Sequence, residues 1–164
     1  MNKFAILLAL FFTSCAFAPN NAAWSGVVDE HDPRTAHALE MSRGYCANET
    51  ESWLEHFSDD AVVHVNDVDM NIKDVTATFA AGHATFKDIA HEDLACTTMR
   101  YNNGEVYTNL WYTWTGKVRS SGETLRIKGY AWFKWEGDKI IESYNAFDPT
   151  KYNAAATGTA AEIK

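Results

Sequence analysis

The stretch Val106–Val118 (VYTNLWYTWTGKV), continued by Thr124–Trp135 (TLRIKGYAWFKW) and Lys139–Phe147 (KIIESYNAF), decides the fold. Aromatic and β-branched residues fill these segments with a period of two, which marks strands rather than helices. Ser120-Ser121-Gly122 and Glu136-Gly137-Asp138 separate them as turns, and Asn102-Asn103-Gly104 is a hairpin signal leading back to a further strand at Ile89–Tyr101. Four long strands joined by tight turns form an antiparallel meander. Aromatic residues occupy both alternations, Tyr107 and Trp111 on one and Tyr112 and Trp114 on the other. One face of such a sheet covers helices; the other asks for a partner, and a homodimer through the outer sheet face supplies it.

Upstream, the period becomes helical. Asp32-Pro33 is a helix start, and Ala38, Met41, Tyr45 and Cys46 predict a helix over about 34–46. Asn48-x-x-Glu51 resembles a capping box for a second, short helix carrying Trp53, Leu54 and Phe57, which Ser58-Asp59-Asp60 ends. Ala61–Val65 (AVVHV) reads as a short strand, and Ile72, Val75, Phe79 and His83 share a face of a third helix over about 72–84. Helices first and a meander after them mean an α+β fold, with the helices on one face of a curved sheet.

Composition narrows the function. The chain has 164 residues, enough for one domain, and 14 Lys+Arg against 22 Asp+Glu give a net charge of −8. With no basic cluster, nucleic acid and anionic membrane surfaces are excluded as partners. A 46% hydrophobic content with 13% aromatics excludes intrinsic disorder. Met1–Ala18 reads as an export signal: Lys3, the apolar run Phe4–Phe12, then Ala16-Phe17-Ala18 as a cleavage pattern. The run is far short of the ~20 residues of a membrane span. Thr13-Ser14-Cys15 also resembles the end of a lipobox, so the exported, periplasmic or secreted protein has two readings, plain cleavage or lipid anchoring at Cys15. Residues 19–31 read as a tether, 32–152 as the domain and 153–164 as a disordered tail. Cys46 and Cys96 are either small buried residues or a disulfide.

The element order, with Trp53–His64 (WLEHFSDDAVVH) and Trp132–Pro149 (WFKWEGDKIIESYNAFDP), resembles the SnoaL-like branch of the nuclear-transport-factor-2-like superfamily over residues 33–150. The resemblance implies a cone, in which a strongly curved antiparallel sheet wraps around three N-terminal helices and leaves a pocket at the wide end. It implies a small hydrophobic ligand, and members include isomerases, cyclases, dehydratases, epoxide hydrolases and non-catalytic binding modules. Placed on this chain, the steroid-isomerase base falls on Val65 and its two proton donors on Met41 and Tyr130. The cyclase acid falls on Asn145, which cannot shuttle a proton at neutral pH. The Asp-Arg-Asp cluster of the epoxide hydrolases is not matched, because Arg126 has no evident acidic pair in the sequence.

His64, between Val63 and Val65, reads either as a general base at the pocket mouth or as a satisfied interface histidine. The expected catalytic set is His64, Tyr130 and Asn145. The expected ligand-lining set is His83, Trp111, Trp132, Ser143 and Phe147, with His83 alternatively a core histidine bonded to a backbone carbonyl. Two functions stay open: acid–base isomerase, cyclase or dehydratase activity, or a non-catalytic ligand-binding or dimerisation module of the cell envelope. No cofactor or metal is predicted. Asp67-x-Asp69-x-Asn71 begins like a calcium loop, but Ile72 and Thr78 stand where Gly and Glu are needed, and His83, His91 and Asp93 match no ligand spacing.

Overall fold

The computed structural model describes residues 22–158, so the segment expected to be an export signal, Cys15 and residues 159–164 lie outside the described residues. The elements are β1 (Gly26–Asp29), α1 (Pro33–Ala47), a 3-10 helix (Glu51–Glu55), β2 (Phe57–Val65), β3 (Val68–Asn71), α2 (Ile72–Thr85), β4 (Phe86–Tyr101), β5 (Val106–Val118), β6 (Thr124–Glu136), β7 (Lys139–Phe147) and α3 (Thr150–Thr157). They build one seven-stranded sheet in the order β1-β4-β5-β6-β7-β2-β3, antiparallel except where β2 runs parallel to β7. The sheet is curved and unclosed, and the architecture is α+β.

The curvature has a local cause in β4. Asp88 and Asp93 sit at φ 53° and 52°, and the β4–β5 register shifts between Lys87 and Ala90 and again between Glu92 and Ala95. Each shift is a bulge, an extra residue that bends and twists its strand. Asp tolerates this left-handed conformation better than most residues. The bent strand curls around α1, whose start is fixed by Asp32. That buried carboxylate accepts from the Arg34 amide at 2.9 Å and pairs with the Arg100 guanidinium. Behind it, Thr35, Thr98 and Thr108 pass hydrogen bonds of 2.9 and 2.8 Å through the core to Trp135 Nε1, which donates to Thr108 at 2.9 Å. A buried polar chain with every member satisfied fixes the helix against the sheet.

Three expectations are corrected and one further strand is added. Gly26–Asp29 is an edge strand on β4, not tether. Ser58-Asp59-Asp60 continues β2 rather than only ending a helix, because buried Phe57 already pairs with Ile140. Val68–Asn71 is a strand that folds back on β2 through Asn66-Asp67, with Asn66 at φ 51°. The tail does not fray at Asn153: α3 runs to Thr157, and Tyr152 anchors it against Phe86, Trp114 and Phe147 at ring distances of 4.6, 5.6 and 6.2 Å. Cys46 and Cys96 are free thiols. Both are half-buried, and burial pushes the Cys96 thiol up to about 11 and raises that of Cys46.

Candidate functional site

The concave face of the sheet and helices α1, α2 and α3 enclose a cavity of about 650 Å3, within the ~300–1,000 Å3 range of small-ligand sites. Alternation on the strands selects its wall: Leu110, Tyr112 and Trp114 from β5, and Ser143, Asn145 and Phe147 from β7. Met41 and Ser42 enter from α1, with Tyr45 one helical turn further on, and Phe79 from α2. Tyr112 lies over its cross-strand neighbour Gly129, where any β-carbon would run into the phenol ring. Glycine at 129 therefore makes room for the tyrosine.

Two polar pairs interrupt the apolar wall. Tyr112 donates its hydroxyl to Asn145 Oδ1 at 2.7 Å, and Ser42 Oγ lies 2.8 Å from His91 Nδ1. The His91 ring is stacked between Tyr112 and Tyr45, at 4.1 and 5.3 Å, and Tyr45 Oη in turn accepts from Trp114 Nε1 at 2.9 Å. Burial disfavours every charged form here. It pushes His91 down to about 4 and both the Tyr45 and Tyr112 phenols well above their ordinary value. At neutral pH these groups are all uncharged, and Asp67, exposed at the edge, is the one charged side chain among the described lining residues.

The expected site residues divide between the two faces of the sheet. Asn145, Ser143 and Phe147 line the cavity. His64, Tyr130, Trp132 and Trp111 do not, which corrects the expectation that His64, Tyr130 and Asn145 converge. The register gives the reason. Counting back from the Gly137-Asp138 turn would set Tyr130 opposite Asn145, but the β6–β7 pairing shifts between Lys134 and Trp135, where Ile141 is an extra residue. Ala131 is thereby the partner of Asn145, which in turn pairs with Val65, so Tyr130, Trp132 and His64 face the convex side. There Tyr130 donates to Asn109 Oδ1 at 2.5 Å, Trp111 packs on Tyr130 at 5.4 Å, and Trp132 stacks on Tyr144 at 6.1 Å.

His64 is held between Asp69 at 2.6 Å and Glu142 at 3.1 Å, and those hydrogen bonds to carboxylates, that of Asp69 foremost, raise its pKa. His83 lies just outside the wall, and its Nε2 donates to the Tyr45 carbonyl at 2.8 Å. Arg126 does have acidic partners, Glu92 at 2.5 Å and Asp93 at 3.7 Å, exposed on the sheet surface away from the cavity. Sequence reasoning missed His91, Ser42, Tyr45 and Tyr112 as site residues. Tyr112 was legible, since it alternates with Trp111 and stands opposite a glycine; His91 was not, because it sits between the two bulges of β4.

No protein-family model matches the chain, and no curated protein matches it. Among solved structures it is similar to AclR, a candidate hydroxylase from Streptomyces galilaeus, at a TM-score of 0.58 and 15% identity, covering 77% of this chain and 97% of that one. It is similar to IdmH, a candidate polyketide cyclase from Streptomyces antibioticus, at 0.57 and 14%, covering 76% and 99%. A protein with a ketosteroid isomerase-like fold from Catenulispora acidiphila aligns at 0.56 and 10%, covering 77% and 95%. The chain therefore shares the curved-sheet α+β fold of these proteins, the cone that the resemblance in its sequence implies. At these identities the likeness is one of fold.

Proposed function

We propose that this is an exported protein whose cone cavity binds a small, neutral, largely apolar molecule bearing a carbonyl or hydroxyl group. The observation that carries the reading is the uncharged wall: an apolar lining with two neutral hydrogen-bonding pairs, Tyr112–Asn145 and Ser42–His91. A charged ligand would lose its hydration without a counter-charge inside, whereas one polar group on an apolar body is satisfied by a phenol or amide. Binding is favoured over acid–base turnover of the isomerase, cyclase or dehydratase type. His91, down near 4, is a weak base at neutral pH, and the raised phenols hold their protons. The similar protein named as a candidate polyketide cyclase supports a polyketide-like ligand.

Trp53 and Trp114 line the cavity, so intrinsic fluorescence reports occupancy. Titration with neutral terpenoid- and polyketide-like molecules should identify binders, and their carboxylate analogues should bind far more weakly. Tyr112→Phe should weaken the best binder about tenfold, the value of one hydrogen bond in a dry site, while His64→Gln leaves it unchanged. Equal affinity for carboxylates, or indifference to Tyr112→Phe, refutes the reading.

Export rests on Met1–Ala18, and homodimerisation on the convex aromatic face, where Trp24 and Trp111 are 63% and 44% exposed. Mass spectrometry of the secreted chain reads both its new N-terminus, including any lipid on Cys15, and under native conditions its dimer mass.

A further inference from the structure

Away from the cavity, His37, Glu40 and His56 each bring one donor atom to a common point, all three within 4.8 Å of one another. His37 and Glu40 are three residues apart on α1 and so share a face of that helix. His56 comes from the junction of the 3-10 helix and β2, where its backbone is tied at both ends. Its N–H donates to the Trp53 carbonyl at 2.9 Å, and its own carbonyl accepts from the Ile140 N–H at 2.8 Å. The two imidazole rings lie 4.8 Å apart, tilted by 49°, and the His37 ring is 6.3 Å from the Trp135 indole.

Nothing in the described protein uses these donors. His37 Nδ1 is buried without a hydrogen-bond partner, and among the described residues the Glu40 carboxylate and the His56 ring take part in no hydrogen bond or ion pair. Buried polar atoms are nearly always satisfied, so a group of this kind points to something that satisfies it.

We infer that His37, Glu40 and His56 form a binding site for one divalent transition-metal ion of the zinc type. Two imidazole nitrogens and one carboxylate oxygen are a borderline-soft donor set that suits zinc and leaves a fourth position open; calcium and magnesium prefer oxygen alone. Tetrahedral donors at zinc distances lie roughly 3.4 Å apart, and rotation of the exposed Glu40 side chain closes the remaining gap. None of the three residues lines the cavity, so the site stands or falls separately from the ligand reading. A bound ion would tie α1 to the start of β2.

The test uses the full chain without a histidine tag, stripped with chelator and titrated with zinc chloride in a calorimeter. One zinc per chain is expected, with a higher thermal midpoint on loading. His37→Gln and His56→Gln should each weaken binding about 100-fold and Glu40→Gln about tenfold, in line with the sensitivity of metal sites to ligand loss. His64→Gln should leave it unchanged, although His64 also sits between two carboxylates. Cobalt loading adds a visible absorption band from a low-coordinate nitrogen and oxygen site, absent from the variants. Should His37→Gln fail to fold by circular dichroism, His56→Gln and Glu40→Gln decide the matter alone. No stoichiometric zinc, or zinc binding that survives the loss of His56, or binding lost in His64→Gln overturns the inference.

Discussion

Phe86→Ala is expected to lower the unfolding free energy by about 3–5 kcal/mol, the range for removing a fully enclosed phenyl ring. Phe86 is 0% exposed at the first position of β4, with its ring edge-on to Trp114 at 5.1 Å and tilted against Tyr152 at 4.6 Å. Those neighbours are themselves anchored, Trp114 by its bond to Tyr45 and Tyr152 by its close approach to Gly82, so they collapse into the void only in part. The same truncation removes a principal contact of α3 and should raise amide exchange over Thr150–Thr157. Denaturant unfolding measures the first effect and hydrogen exchange the second. A cost below about 1.5 kcal/mol would mean that the site closes over the missing ring, contrary to its observed packing.

His91→Gln should flatten the loss of stability in mild acid. With the native His91 down near 4 through burial and the unfolded side chain near 6.5, the unfolded chain takes up the proton first. Above pH 6.5 neither state binds it and stability is full; as pH falls from 6.5 to 4, stability drops by up to about 3 kcal/mol. His56, lowered mainly by burial, adds in the same direction. The raised His64 works oppositely: its contribution is complete below pH 6.5 and fades as pH rises through its folded value. Both remain in the variant, and Gln can keep a hydrogen bond to Ser42. The difference between the two stability curves over pH 4–7 therefore isolates His91. Parallel curves would show that the imidazole is hydrated and not sealed among Tyr45, Tyr112 and Ser42.

The long strands and both major helices were legible because each carries a sustained period: two along Val106–Val118, and the helical one through Ala38, Met41 and Tyr45. The elements that escaped carry none. β1 and β3 have four residues each, too few for a pattern to emerge, and α3 (TKYNAAAT) is short and held by Tyr152 rather than by an apolar face of its own. On β7, alternation alone placed Ser143, Asn145 and Phe147 on one face. What that face meets across the sheet depends on the shift between Lys134 and Trp135, a matter of backbone register that no side chain announces. His91 was obscured in the same way, by bulges at two aspartates that read as ordinary surface residues.

The extra residue at Ile141 has a consequence for how such proteins diverge. Loss of one amino acid just beyond it, with the bulge kept, would turn the remainder of β7 over, presenting Tyr144 and Ala146 inward and sending Asn145 and Phe147 to the outside. Insertions and deletions, more than point replacements, are then the economical route by which a scaffold of this shape exchanges its cargo preference. Lineages related by such slips would keep their outline while sharing almost no interior residues at aligned positions.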